Sequence, residues 1–130
     1  MLLFGHRFID SENIFHIQSI DAIQNTPPSS TLLVDFNEDN LDIIKHTVLN
    51  SIPLAINVEN ITQIIYASSL GAAYIVLPKE LAKTAQNLAD NYLFDAKILV
   101  HVEQEDEIEE LALLGMDGII FSNAIIKVNS

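Results

Sequence analysis

Residues 53–78 read PLAINVENITQIIYASSLGAAYIVLP, and this stretch decides the fold. Two apolar tracts, Pro53–Val58 and Ala73–Leu77, bracket a segment in which Ile61, Ile64, Ile65 and Ser68 recur at helical spacing. Asn60 stands where an N-cap is needed, and Gly71 where a left-handed residue ends a helix. Short, nearly continuous runs of Ile, Leu and Val are the mark of strands covered on both faces, as in parallel sheets. The stretch is therefore a strand–helix–strand unit with short links.

The same grammar extends in both directions. Thr31–Phe36, Lys97–Val102 and Gly118–Phe121 read as further buried strands, which gives at least five. Leu41, Ile44 and Val48 mark one helical face, Leu81, Ala85, Leu88 and Tyr92 another, and Ile108, Leu111 and Ala112 a third. Asp39 or Asn40 is placed to cap the first of these helices. Residues 1–30 are less regular, with a short strand at Phe15–Gln18 and a brief helix over Ile20–Asn25 capped by Ser19. Thr26-Pro27-Pro28-Ser29-Ser30 must be a loop, because consecutive prolines cannot continue a helix. The expectation is one α/β domain over 1–130, with βα repeats over 31–123. Its sheet is mainly parallel, either a half-barrel or a flavodoxin-like three-layer arrangement.

A shift of 44 residues superposes two of the units. Val58, Glu59, Ile64, Leu70, Gly71 and Ile75 fall on Val102, Glu103, Ile108, Leu114, Gly115 and Ile119. Duplication and convergence of two βα units both explain this, and both predict the same local shape.

Composition narrows the function. Asp and Glu total 18 against six Lys and Arg, a net charge of −12. Such a surface repels phosphate backbones and anionic headgroups, so neither nucleic acid nor a membrane is an expected partner. Cysteine is absent, which removes disulfides, thiolate metal sites and thiol nucleophiles and suits a reducing compartment. The N-terminal apolar stretch is too short for a signal peptide, and no run approaches the roughly 18 apolar residues of a membrane span. A soluble cytoplasmic protein is expected. No glycine-rich phosphate loop, dinucleotide fingerprint or Gly-x-Ser-x-Gly elbow occurs.

Parallel α/β folds bind ligands at the carboxyl ends of their strands. That rule selects Asp35, Asn57, Glu59, Lys79, His101, Glu103 and Asn123 as the candidate pocket, with Pro78 and Ser122 beside them. Residues two apart on a strand share a face, so Asn57 pairs with Glu59 and His101 with Glu103. His6, His16 and His46 have no metal-like spacing to one another. Glu103 opens an acidic run to Glu110 that suits a solvated helix N-terminus.

Two family resemblances rest on particular residues. Ala96–Asn123, AKILVHVEQEDEIEELALLGMDGIIFSN, resembles the last βαβ unit of TIM-barrel glycerophosphodiester phosphodiesterases, and His6-Arg7 with Glu12-Asn13 resembles that family's opening motif. The resemblance implies His6 as a base, Arg7 as a phosphate contact and Glu12 as a metal ligand, although Phe8 stands where the family has glycine. Ser51–Leu93, with LGAAYIVLP over 70–78, is similar to the second half of a response-regulator receiver domain. That likeness would make Asp35 the phosphoacceptor, with Leu77 in place of the receiver's lysine. Together they imply a (β/α) repeat architecture.

The leading expectation is a small binding or regulatory domain without catalysis and without a cofactor. It would act as a homodimer or on a protein partner, because an incomplete barrel exposes edges. The alternative is a metal-assisted phosphodiester or ester hydrolase holding a divalent cation with Asp35, Glu59, His101 and Glu103.

Overall fold

A computed structural model describes residues 1–129. Its strands are β1 (Leu2–Phe4), β2 (Ile14–His16), β3 (Thr31–Asp35), β4 (Leu54–Asn57), β5 (Tyr74–Pro78), β6 (Lys97–Val102), β7 (Gly118–Phe121) and β8 (Ile125–Lys127). Its α-helices are α1 (Leu41–Leu49), α2 (Ile61–Ser69), α3 (Ala82–Tyr92) and α4 (Glu107–Leu113). Among the described residues the eight strands form one sheet in the order β1-β7-β6-β5-β4-β3-β2-β8, and every neighbouring pair is parallel. No described helix is long and apolar enough to cross a membrane.

Burial on the two faces of the sheet shows that it curls. One cluster joins the strands to all four helices: Val34, Ile56, Ile75, Val100 and Ile119 pack with Ile44 of α1, Ile64 of α2, Ala85 of α3 and Leu111 of α4. The other contains no α-helical residue. Phe4, Ile14, Leu33, Ala55, Val76, Leu99 and Ile120, one from each of β1 to β7, pack with Ala124, Tyr74 and Ile125. A sheet face that carries apolar side chains and no covering layer must wrap around itself, so the helices lie on the convex side only. The expected half-barrel is the arrangement formed, and the flavodoxin-like alternative, which needs helices on both faces, is not.

The wrap brings the two sheet edges together. Phe4 of edge strand β1 shares the inner cluster with Ala124 and with Ile125 of edge strand β8. Its ring also meets Tyr74 of β5 edge-on at 5.7 Å between centroids. The link from β1 to β2 passes the link from β7 to β8 at Gly5. There φ is +86°, and a Cβ would lie 2.9 Å from Asn123 Oδ1 and 3.0 Å from Ala124 Cβ. Glycine is required on both counts.

Strand positions inferred from the sequence hold to within a residue or two, whereas β1 and β8 were not anticipated. Both are three-residue edge strands whose pairing partners lie far away in sequence. Helix faces needed adjustment. In α1 the buried side chains are Ile43, Ile44 and Thr47, while Val48 is exposed. Thr47 is tolerated inside because its hydroxyl donates to the Ile44 carbonyl at 2.8 Å. In α3 the buried face is Ala82, Ala85, Gln86 and Ala89, and Tyr92 is exposed. Small residues let the helix lie close to the sheet and displace the bulky ones to its flanks. Ile61, Ile65 and Ala112 likewise face outward. The cap ahead of α1 is Asn37, whose side chain accepts from the Asn40 N–H at 2.9 Å, rather than Asp39 or Asn40. At α2 Asn60 caps as expected, accepting from Gln63 N–H, while Gln63 Oε1 accepts from Glu59 N–H at 2.8 Å.

The 44-residue repeat is visible in the hydrogen bonds. Leu70, Gly71 and Ala72 donate to Tyr66, Ser68 and Ala67, and Leu114, Gly115 and Met116 donate to Glu110, Ala112 and Leu111. Both glycines have positive φ. The helices differ at their starts, because Gln104 replaces the Asn60 cap and α4 begins later.

Candidate functional site

Alternation along the strands sets what lines the carboxyl-end mouth of the curled sheet. Two residues beyond Ile14, Leu33, Ala55, Leu99 and Ile120, all on the concave face, stand His16, Asp35, Asn57, His101 and Ser122. The apolar interior ends at these positions, and a polar layer begins.

Two hydrogen-bonded clusters occupy it. In the first, Asp35 Oδ1 contacts His16 Nε2 at 3.1 Å and accepts from Asn57 Nδ2 at 3.0 Å. Asp35 and Asn57 are register partners on β3 and β4. A carboxylate can only accept, so His16 Nε2 is the donor in this contact. The His16 side chain is only 14% exposed. The backbone carbonyl of Asp35 accepts from Asn40 Nδ2 at 2.9 Å, which ties the strand end to the following turn.

The second cluster joins His101, Ser122 and Glu103. Ser122 Oγ donates to Glu103 Oε1 at 2.6 Å and lies 2.8 Å from His101 Nε2, with His101 and Glu103 3.4 Å apart. The hydroxyl has one proton and gives it to the carboxylate, so His101 must be the donor to Oγ. A serine nucleophile requires the reverse, with imidazole accepting the hydroxyl proton and the acid on its far nitrogen. The three residue types of a hydrolytic triad are adjacent, but their hydrogen bonds run the wrong way.

A cavity of about 240 Å³ lies at the mouth, lined by His16, Leu33, Asn57, His101, Ser122, Ile125 and Lys127. A larger cleft of about 690 Å³ adjoins it, with His16 and Asn57 as shared wall and Asp35, Phe36, Glu38 and Glu59 further out. An apolar hollow of about 240 Å³ around Pro27, Pro28, Leu32, Ile52 and Pro53 lies at the start of β3 and β4, the opposite end of the sheet.

The residues singled out from the sequence therefore divide. Asp35 and Asn57 meet in one cluster and His101 and Glu103 in the other. Glu59 is exposed on the wall of the larger cleft. Lys79 instead bonds Glu110 of α4 at 2.9 Å, and that carboxylate raises the Lys79 pKa above its ordinary value. Asn123 donates to the Gly5 carbonyl at 2.8 Å and fastens the crossing of the two links. Among the described residues no group of three or more His, Asp or Glu is placed to hold a metal ion.

The arrangement implied by the phosphodiesterase resemblance is not assembled. His6 Nε2 and Arg7 Nε both contact Glu105 Oε1 at 3.2 Å at the carboxyl end, with His6 against the Phe8 and Phe121 rings. Glu12 has descended to the amino end, where it accepts from Thr31 Oγ1 at 3.2 Å. In Leu114-Gly115-Met116-Asp117 of the stretch that carries this resemblance, Asp117 has a structural role, since its Oδ2 accepts from the Ile98 N–H and its N–H donates to Gln86 Oε1.

His16 and Lys127 were missed. The first residues of the chain suggested a strand at Phe15–Gln18, which hides that His16 is two positions from a buried isoleucine; the alternation Ile14–His16 was the available signal. No protein-family model matches the chain, and no curated protein shows detectable similarity to it.

Proposed function

We propose that this protein is a small-molecule-binding domain without catalytic turnover, and that its ligand sits at the carboxyl-end mouth. The observation that carries this reading is the cavity over the apolar interior whose rim combines His16, Asn57, His101, Ser122 and Lys127. Ligand pockets have this form, an apolar floor with a few convergent polar groups. The direction of the Ser122 hydrogen bond supports binding over acyl transfer, because the hydroxyl proton is committed to Glu103.

The test is a small-molecule screen by amide NMR on the full chain, with turnover assays on phosphodiesters and esters in parallel. Shift changes concentrated at His16, Asn57, His101 and Ser122 support the proposal. Hydrolysis that disappears in His101→Ala or Glu103→Ala overturns it in favour of a hydrolase.

A further inference from the structure

The mouth has opposite polarity at its two ends. In the larger, outer cleft, Asp35, Glu38 and Glu59 contribute three carboxylates, and no Lys or Arg lines it. Glu38 and Glu59 lie near the starts of α1 and α2, where acids offset the helix dipoles. Each N-terminus contributes roughly half a positive charge, so an excess of about two negative charges remains. Phe36, stacked with Tyr66 at 5.8 Å, also lines this cleft, and an aromatic face attracts an ammonium group.

The inner cavity is the reverse. No Asp or Glu lines it, and Lys127 does, opposite His16 in the β2–β8 register. Asn57 uses one amide proton on Asp35 and has a second to give. The His101 ring stands across from these groups with its Nε2 proton committed to Ser122. The two spaces share His16 and Asn57 as a common wall, so one extended molecule can touch both.

We infer that the ligand is a small zwitterion. Its ammonium lies in the outer cleft by Asp35, Glu59 and Phe36, and its carboxylate or phosphate lies in the inner cavity by Lys127 and Asn57. This rests on the binding proposal above and deepens it.

The probes are glycine, 4-aminobutyrate and 6-aminohexanoate, compared with the one-ended ions butylammonium and butyrate and with neutral 1,4-butanediol. Each is titrated into the full chain by amide NMR at neutral pH and low salt. At least one zwitterion should bind about tenfold or more tightly than every one-ended or neutral probe, with shifts on both sides of the His16–Asn57 wall. Lys127→Gln should reduce that zwitterion to the affinity of butylammonium, and Asp35→Asn should reduce it to that of butyrate. If a one-ended ion or the diol binds at the mouth as tightly as the zwitterions, the inference is overturned and the binding proposal stands. If no probe perturbs the mouth at millimolar concentration, both fail.

Discussion

Replacing Gly118 with alanine tests the tightness of the curled interior. Gly118 lies on the concave face of β7, in register with Leu2 of β1 and Leu99 of β6. An added Cβ would stand 2.7 Å from Leu99 Cδ2, 2.8 Å from Leu2 Cβ and 3.0 Å from the Leu2 carbonyl oxygen. The leucine methyl can rotate away, but Leu2 Cβ and the carbonyl can yield only if β1 moves. Overpacking of this kind costs about 1–3 kcal/mol. The competing effect has the opposite sign, since alanine for glycine in an unstrained site stabilises by about 0.4–1 kcal/mol through the unfolded chain. Taking the middle of each range, the net cost is about 1.3 kcal/mol, and with about 3–5 °C per kcal/mol for a chain of this size Gly118→Ala should lower Tm by roughly 4–7 °C. Thermal unfolding followed by circular dichroism measures this, with reversibility confirmed on cooling. An unchanged or raised Tm would show that β1 does not lie against β7 as described.

Three other outcomes follow from the same geometry. Leu33→Ala empties part of the inner cluster and should cost about 2–5 kcal/mol in urea unfolding. Asn60→Ala removes the α2 cap and should cost about 1 kcal/mol, whereas Asn37→Ala acts ahead of α1 in the same way and should add independently. Tyr74 has its pKa raised by burial and by the nearby Glu12 carboxylate. The folded state therefore holds this proton more tightly than the unfolded chain. The resulting stability is complete below about pH 10 and is lost as pH rises through the higher folded value. Urea midpoints between pH 8 and 11 should fall less steeply in Tyr74→Phe than in the parent.

The five central strands and their helices were legible, and the edge strands β1 and β8 were not. Runs such as KILVHV and GIIF announce strands because covered faces demand uninterrupted apolar residues. The Asn60–Gln63 cap and the positive-φ Gly71 and Gly115 follow from backbone needs that only a few residue types meet. Leu2–Phe4 and Ile125–Lys127 escape notice because short edge strands are defined by partners far away in sequence. The site suffered for the same reason. Asp35 and Asn57 were found because their strands were found, and the partnership of His16 with Asp35 links residues on a strand whose register the sequence does not display. Lys79 and Asn123 satisfied the strand-end rule yet turned toward α4 and Gly5, since position along a strand does not fix the direction of a side chain once the strand has ended.

Everything said of the mouth depends on the sheet curling until its first strand faces its fifth. The most direct measurement is an aromatic NOESY spectrum of the full chain. The rings of Phe4 and Tyr74, 5.7 Å apart between centroids, should give a clear cross-peak. In a flat sheet of the same strand order, β1 and β5 would lie three spacings apart, roughly 14 Å, and the absence of that cross-peak from assigned spectra would contradict the account.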